Sequence, residues 1–258
     1  MARRPIYEEE YEGLVLMEFE EFEVAKPSFL VLGLPDTGLV GAISSNHIVE
    51  QLSLREVAGI DMPMIGPPLA IIINSEVKTP LRIHHGNGGK ILALTSEAPV
   101  PATAMHALSK LLVDYALKRG IDYIISIVGL ASPNRVNVEK PRVYWLASNP
   151  RAAKLVEGLG VDNFANGYLV GPYALVLKEA IRKRVANLVL LAESFVDFPD
   201  PEAAAQALAV LSRILSVNID VSKLLEQAEM IRLRLRGLMK QTRQSMAEMG
   251  GPSPLMYS

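Results

Sequence analysis

The chain has 258 residues, half of them apolar, and its 26 basic and 28 acidic side chains leave a formal charge of −2. A chain of this length and apolarity buries a large core, and either one large α/β domain or two small ones would fit. The near-neutral balance argues against a nucleic-acid binder that displaces counterions and against a polybasic membrane anchor. Without cysteine there are no disulfides, thiolate nucleophiles, iron–sulfur clusters or cysteine zinc sites.

No apolar run reaches the roughly eighteen residues that a membrane span needs. The opening M-A-R-R-P-I-Y-E-E-E lacks the apolar stretch of a secretory signal. A soluble, cytoplasmic protein is expected.

In chain order, residues 8–23 are dense in glutamate and read as a solvated face, or as a surface that pairs with another subunit or partner. A first strand is expected at 13–19 and a buried one at 29–34, followed by a glycine-rich turn and an amphipathic helix over 39–51. Short β-branched runs at 55–60, 69–73, 81–83 and 91–95, bounded by Pro, Gly and Asn, read as strands. Pro101 opens a helix that Gly120 ends, with Met105, Leu108, Leu111, Leu112 and Tyr115 on one face. The continuous apolar run 123–128 suits the middle of a sheet covered on both faces.

Residues 129–142 read as a long irregular loop. Helices are expected from Pro150, from Pro172 to about 184, and over 201–216, with a last buried strand at 188–192. A final helix spans 221–249 and is dense in arginine from 232 to 243. Alternating strands and helices predict a single α/β domain with a mixed, largely parallel sheet flanked by helices. The organisation expected is a domain at 1–220, a C-terminal helix at 221–249 and a flexible tail at 250–258.

The turn F-L-V-L-G-L-P-D-T-G-L-V-G lies between strand and helix, where phosphate loops lie. It lacks the Lys and Ser/Thr of a P-loop, because Leu39 and Val40 follow Gly38. Four residues separate Gly33 from Gly38, so the dinucleotide fingerprint fails too. A tight turn with close helix–strand packing is expected, with Asp36 and Thr37 as turn and cap residues.

The four histidines, His47, His84, His85 and His106, stand at no metal or triad spacing. The neighbours His84 and His85 point to opposite faces of a strand. No catalytic, cofactor or metal site is expected. Glu76, Glu97 and Glu193 stand near strand ends, where open α/β sheets place their sites. A small-molecule enzyme of nucleosidase or ligase type, using strand-end loops around Asp36, Glu76 and Asn134, is the alternative reading.

Three motifs stand in order: G-L-P-D-T-G-L-V-G from Gly33, G-Y-L-V-G-P-Y-A-L-V-L from Gly167, and L-L-A-E-S with P-D-P-E-A-A-A from Leu190 and Pro199. On these the chain resembles the archaeal proteasome assembly chaperone family, its PbaB-type members most of all, over residues 29–239. The resemblance implies a phosphorylase-like α/β sandwich and a binding function independent of ATP. It also implies a homo-oligomer, tetramer or pentamer, with proteasome α-subunits as partner. The last residues, Met256, Tyr257 and Ser258, are similar to the hydrophobic–tyrosine–any-residue terminus by which such proteins engage the core particle.

Gly250, Gly251, Pro252, Ser253 and Pro254 would detach this terminus and keep it extended. Upstream, Val221, Leu224, Ala228, Ile231, Leu235 and Leu238 form a heptad seam, which packs either on the chain's own domain or between subunits.

Overall fold

The computed structural model describes residues 3–66, 69–138 and 140–248. In chain order the strands are β1 (Tyr7–Tyr11), β2 (Leu14–Glu18), β3 (Phe29–Gly33), β4 (Arg55–Asp61), β5 (Ile71–Ile73), β6 (Glu76–Lys78), β7 (Leu81–Gly86), β8 (Ile91–Ser96), β9 (Tyr123–Ala131), β10 (Val143–Ala147), β11 (Asp162–Asn163) and β12 (Ala186–Ser194). The helices are α1 (Val40–Gln51), α2 (Ala102–Lys118), α3 (Pro150–Ala153), α4 (Pro172–Lys183), α5 (Pro201–Leu215), α6 (Ser222–Glu226) and α7 (Ala228–Glu248).

Among the described residues, ten strands form one sheet in the order β1-β2-β4-β7-β8-β3-β9-β12-β10-β11, and β5 and β6 form a separate hairpin. The sheet is mixed. Parallel pairing joins β8, β3, β9 and β12 at its centre, whereas β1, β2, β4, β7 and β8 pair antiparallel along one flank. Parallel pairing is therefore less general than the sequence suggested, since short turns rather than helices join several of these strands.

The apolar run of β3 explains the two layers. Leu30 and Leu32 face one side with Leu92, Leu94 and Ile124, beneath α2 and α4. Phe29 and Val31 face the other with Ile91, Ala93, Ile125 and Ile127, beneath α1 and α5. A strand covered on both faces loses its polar alternation, which is why 29–34 and 123–128 read as continuous apolar runs.

The glutamate-dense segment is structured. It forms the β1–β2 hairpin, laid so that Glu9 pairs with Lys118 (2.8 Å), Glu12 with Lys110 (2.8 Å) and Glu18 with Arg119, all basic residues on or just after α2. Glu18 is buried. Glu8, Glu10 and Glu12 remain exposed, so the solvated face persists alongside these pairs within the chain. The expected C-terminal helix is two, α6 and α7, separated at Gln227.

Candidate functional site

The glycine-rich turn is held by close packing. A Cβ at Gly33 would overlap the Ser45 hydroxyl, one at Gly38 the Ser194 hydroxyl, and one at Gly129 the Thr37 carbonyl. Gly38 also has φ +62°, a conformation that only glycine adopts freely. The expected tight turn is present, and Asp36 serves it from a buried position. One Asp36 carboxylate oxygen accepts the Gly41 N–H at 3.2 Å, near the start of α1, and the other accepts the Gly129 N–H from β9. The chain's own carboxylate thus takes an amide near the helix start that would otherwise be free for a phosphate.

Burial pushes the Asp36 carboxyl up to about 8, against the lowering effect of these N–H donors. The second motif meets the first here. The Tyr173 hydroxyl, buried at the start of α4, accepts the Leu34 N–H at 2.7 Å and lies 3.1 Å from the Leu34 carbonyl.

The third motif closes the arrangement. Asp200 caps α5, accepting the Ala203 N–H at 3.0 Å with Pro201 at the first helical position. It also takes a two-pronged contact from Arg135, at 2.7 and 2.9 Å, and the Phe195 N–H at 3.1 Å. Its own N–H donates to the Gly38 carbonyl at 2.8 Å. Arg135 and Asp200 are both buried. The segment expected to be an irregular loop at 129–142 therefore begins as the end of β9 and is then pinned by Arg135. The proline-led cap at Asp200 is visible in sequence, but its partner 65 residues away carries no local signal.

Between these motifs lies a cavity of about 160 Å³ at the carboxyl ends of β3 and β9. Asp36 and Thr37 line one side, Val100 and Met105 another, and the 168–173 segment a third. Thr242, Ser245 and Met246 of α7 complete it.

The other carboxylates and Asn134 do not line it. Glu76 lies on the β5–β6 hairpin and pairs with Lys78 at 2.9 Å, Glu97 pairs with Arg82, and Glu193 accepts the Arg142 N–H at 3.2 Å. The Asn134 side-chain oxygen accepts from Asn137 at 2.7 Å. The trio Asp36, Glu76 and Asn134 is not assembled into one site.

The histidines are equally separate. His84 meets Thr95 at 3.1 Å, and burial lowers its pKa to about 4. His85 is buried against Phe22, His47 meets the Asp220 carbonyl at 2.7 Å, and His106 is exposed. Among the described residues, no cluster of three or more His, Asp or Glu side chains could hold a metal.

The heptad seam packs inward. Leu224 is buried in the cluster that α5 and α1 share, Ala228 is buried, and Val221, Ile231, Leu235 and Leu238 lie half-buried against that cluster. Two ion pairs tie α7 to neighbouring segments, Arg232 to Glu202 at 2.7 Å and Arg243 to Asp197 at 3.1 Å. The candidate docking residues Met256, Tyr257 and Ser258 lie outside the described residues, as does the spacer before them.

These features define an α/β domain with a C-terminal helix laid over the strand ends. A model of the PAC2 family matches residues 30–239, and the chain belongs to that family. The structure is similar to Pyrococcus furiosus PbaA, an archaeal homolog of proteasome-assembly chaperone, with TM-score 0.80 and 29% identity over 90% of this chain and 99% of that one. It is also similar to Pyrococcus furiosus PbaB, an archaeal proteasome activator, with TM-score 0.73 and 23% identity over 88% and 99% of the two chains.

PbaA gives the higher identity and TM-score of the two. An uncharacterised protein of Methanocaldococcus jannaschii is 23% identical over 232 residues, which is 89% of this chain and 92% of its own. No helix among the described residues is long and apolar enough to cross a membrane.

Proposed function

We propose that this protein is an ATP-independent partner of the proteasome core particle, an assembly chaperone or activator that docks C-terminal tails on the α-ring. The observation that carries the reading is the likeness to PbaA over 90% of the chain, at TM-score 0.80. The scattering of Asp36, Glu76 and Asn134 weighs against the enzyme alternative. The chemistry is binding, with no nucleotide, metal or cofactor taking part, and the setting is the cytoplasm.

In this proposal Met256 supplies an adaptable apolar anchor and Tyr257 a rigid ring with a polar tip. With Ser258 as the terminal residue, its carboxylate pairs with a lysine between adjacent α-subunits. The glycine and proline spacer limits the entropy lost on docking. Self-association into a tetramer or pentamer presents several such tails, so that weak single contacts add through effective concentration.

Two exposed apolar surfaces are available for that assembly. One is the β5–β6 hairpin with Met64, Ile72 and Val77, and the other is the outer side of α7 with Met230, Leu233 and neighbouring Phe198. The test is a pull-down of purified core particle by the full chain and by a chain ending at Glu248. The full chain captures the particle and the shortened one loses it. Equal capture by both would place the contact elsewhere, and capture by neither would refute the partner.

A further inference from the structure

The first two motifs of the sequence meet at one place in the fold. Residues 35–37 and 168–173 come together there, and the cavity between them is formed by elements far apart in the chain. Its position follows from topology. The helix after β3 packs on one face of the sheet and the helix after its parallel neighbour β8 on the other, so the loops diverge. Crevices at the carboxyl ends of such strands are where open α/β sheets hold small ligands.

The lining is chiefly apolar, including Pro35, Val100, Val128, Leu130 and Leu191. It includes Asp36 but no lysine, arginine or histidine. Backbone N–H groups of Gly41 and Gly129, and that of Asp36 itself, are the donors that act on this carboxylate. A carboxylate has about four acceptor positions, so room for one more donor remains. Burial keeps a proton on Asp36 at neutral pH in place of a cation, and an ammonium seated on the side chain would displace that proton to solvent and hold the carboxylate ionised. The volume limits the rest of the ligand. About 160 Å³ is close to the ~150 Å³ apolar cavity that accepts one benzene ring.

We propose that this cavity binds a small monocationic amine, with its ammonium on Asp36 and an apolar body the size of one six-membered ring against the apolar lining.

The test uses the full chain, with benzylamine as probe and benzyl alcohol as its uncharged counterpart, by ligand-observed NMR and calorimetry. Benzylamine binds about tenfold or more tightly than benzyl alcohol, as a charge-assisted hydrogen bond implies. Asp36→Asn removes that preference. Because this change also disturbs the turn, Ala131→Phe is the second variant: it fills the cavity from the end of β9, and it abolishes binding of both probes while the protein stays folded by circular dichroism. Failure of benzylamine to bind at the limit of its solubility, equal binding of the two probes to the unaltered protein, or benzylamine binding that survives Ala131→Phe would each overturn the proposal.

Discussion

Two helices of similar amphipathic design are attached to this protein in opposite ways. Of the 15 residues of α5, eight are buried, among them Ala203, Ala204, Ala205 and Ala207, whose small side chains let it lie close to α1 and β12. Its first turn is fixed by Asp200. By contrast, α7 buries Ala228, Met239 and Thr242 in 21 residues and carries arginines on its outer side. The body of the molecule is held by packing and buried polar contacts, whereas α7 rests on a thin apolar seam and partly exposed ion pairs. In the proposed function α7 leads to the docking terminus, and an element with that task needs only the second kind of attachment.

The sharpest way to break this contrast is at the buried pair. Asp200→Ala leaves Arg135 buried without its carboxylate and removes the α5 cap, and the expected loss is about 3–5 kcal/mol in denaturant unfolding. Next in size is the same truncation made in each helix. Leu208→Ala in α5, at a fully buried position, costs about 2–5 kcal/mol. Leu233→Ala in α7, whose side chain is exposed, changes stability by about 0.5 kcal/mol or less.

Two buried ionisable groups give the body a pH signature that α7 lacks. The His84 pKa falls from 6.5 to about 4 in the fold, so the unfolded chain binds more protons between those values. The stability that depends on neutral His84 is complete above pH 6.5 and is lost as pH falls towards 4, on the order of 3 kcal/mol in total. His84→Gln removes this rise, so its stability measured against that of the parent declines as pH climbs from 4 to 6.5.

Asp36 acts with the opposite sign. Its pKa rises from 3.8 to about 8, so the folded state holds the extra proton and stability falls as pH climbs to about 8. Between pH 6.5 and 8, where His84 is neutral in both states, Tm declines, and in Asp36→Asn that decline is absent. A small effect again belongs to α7: Arg232→Ala removes its half-exposed pairing with Glu202 at a cost of about 1 kcal/mol or less.

The central strands and most helices were legible because burial on two faces leaves unbroken apolar runs and prolines mark helix starts. What escaped were elements whose partners are remote. The strand β1 reads Tyr-Glu-Glu-Glu-Tyr, and its charge suggested solvent until α2 supplied Lys118. The strand β10 reads Val-Tyr-Trp-Leu-Ala, an apolar run half-buried at every position, and it follows directly on the stretch that reads as an irregular loop. Run 69–73 was legible as a strand, yet its partner is the local β6 rather than the main sheet. At the cavity, Asp36 was recognisable as a turn residue, but its contact with Gly129 spans 93 positions and could not be read from spacing. The seam 221–238 was legible as a helix face, while what it faces was decided by α5.

Docking through the terminus, as proposed above, is open to direct measurement. Binding of immobilised core particle is compared for the full chain, for Tyr257→Ala and for a variant with residues added after Ser258, all at matched oligomeric state. Buried aromatic anchors dominate interface energy, so Tyr257→Ala costs on the order of 2 kcal/mol per tail, roughly thirtyfold, and the loss multiplies when several tails bind together. The extension weakens binding as well by burying the terminal carboxylate in a peptide bond. Equal binding by all three proteins would contradict tail docking.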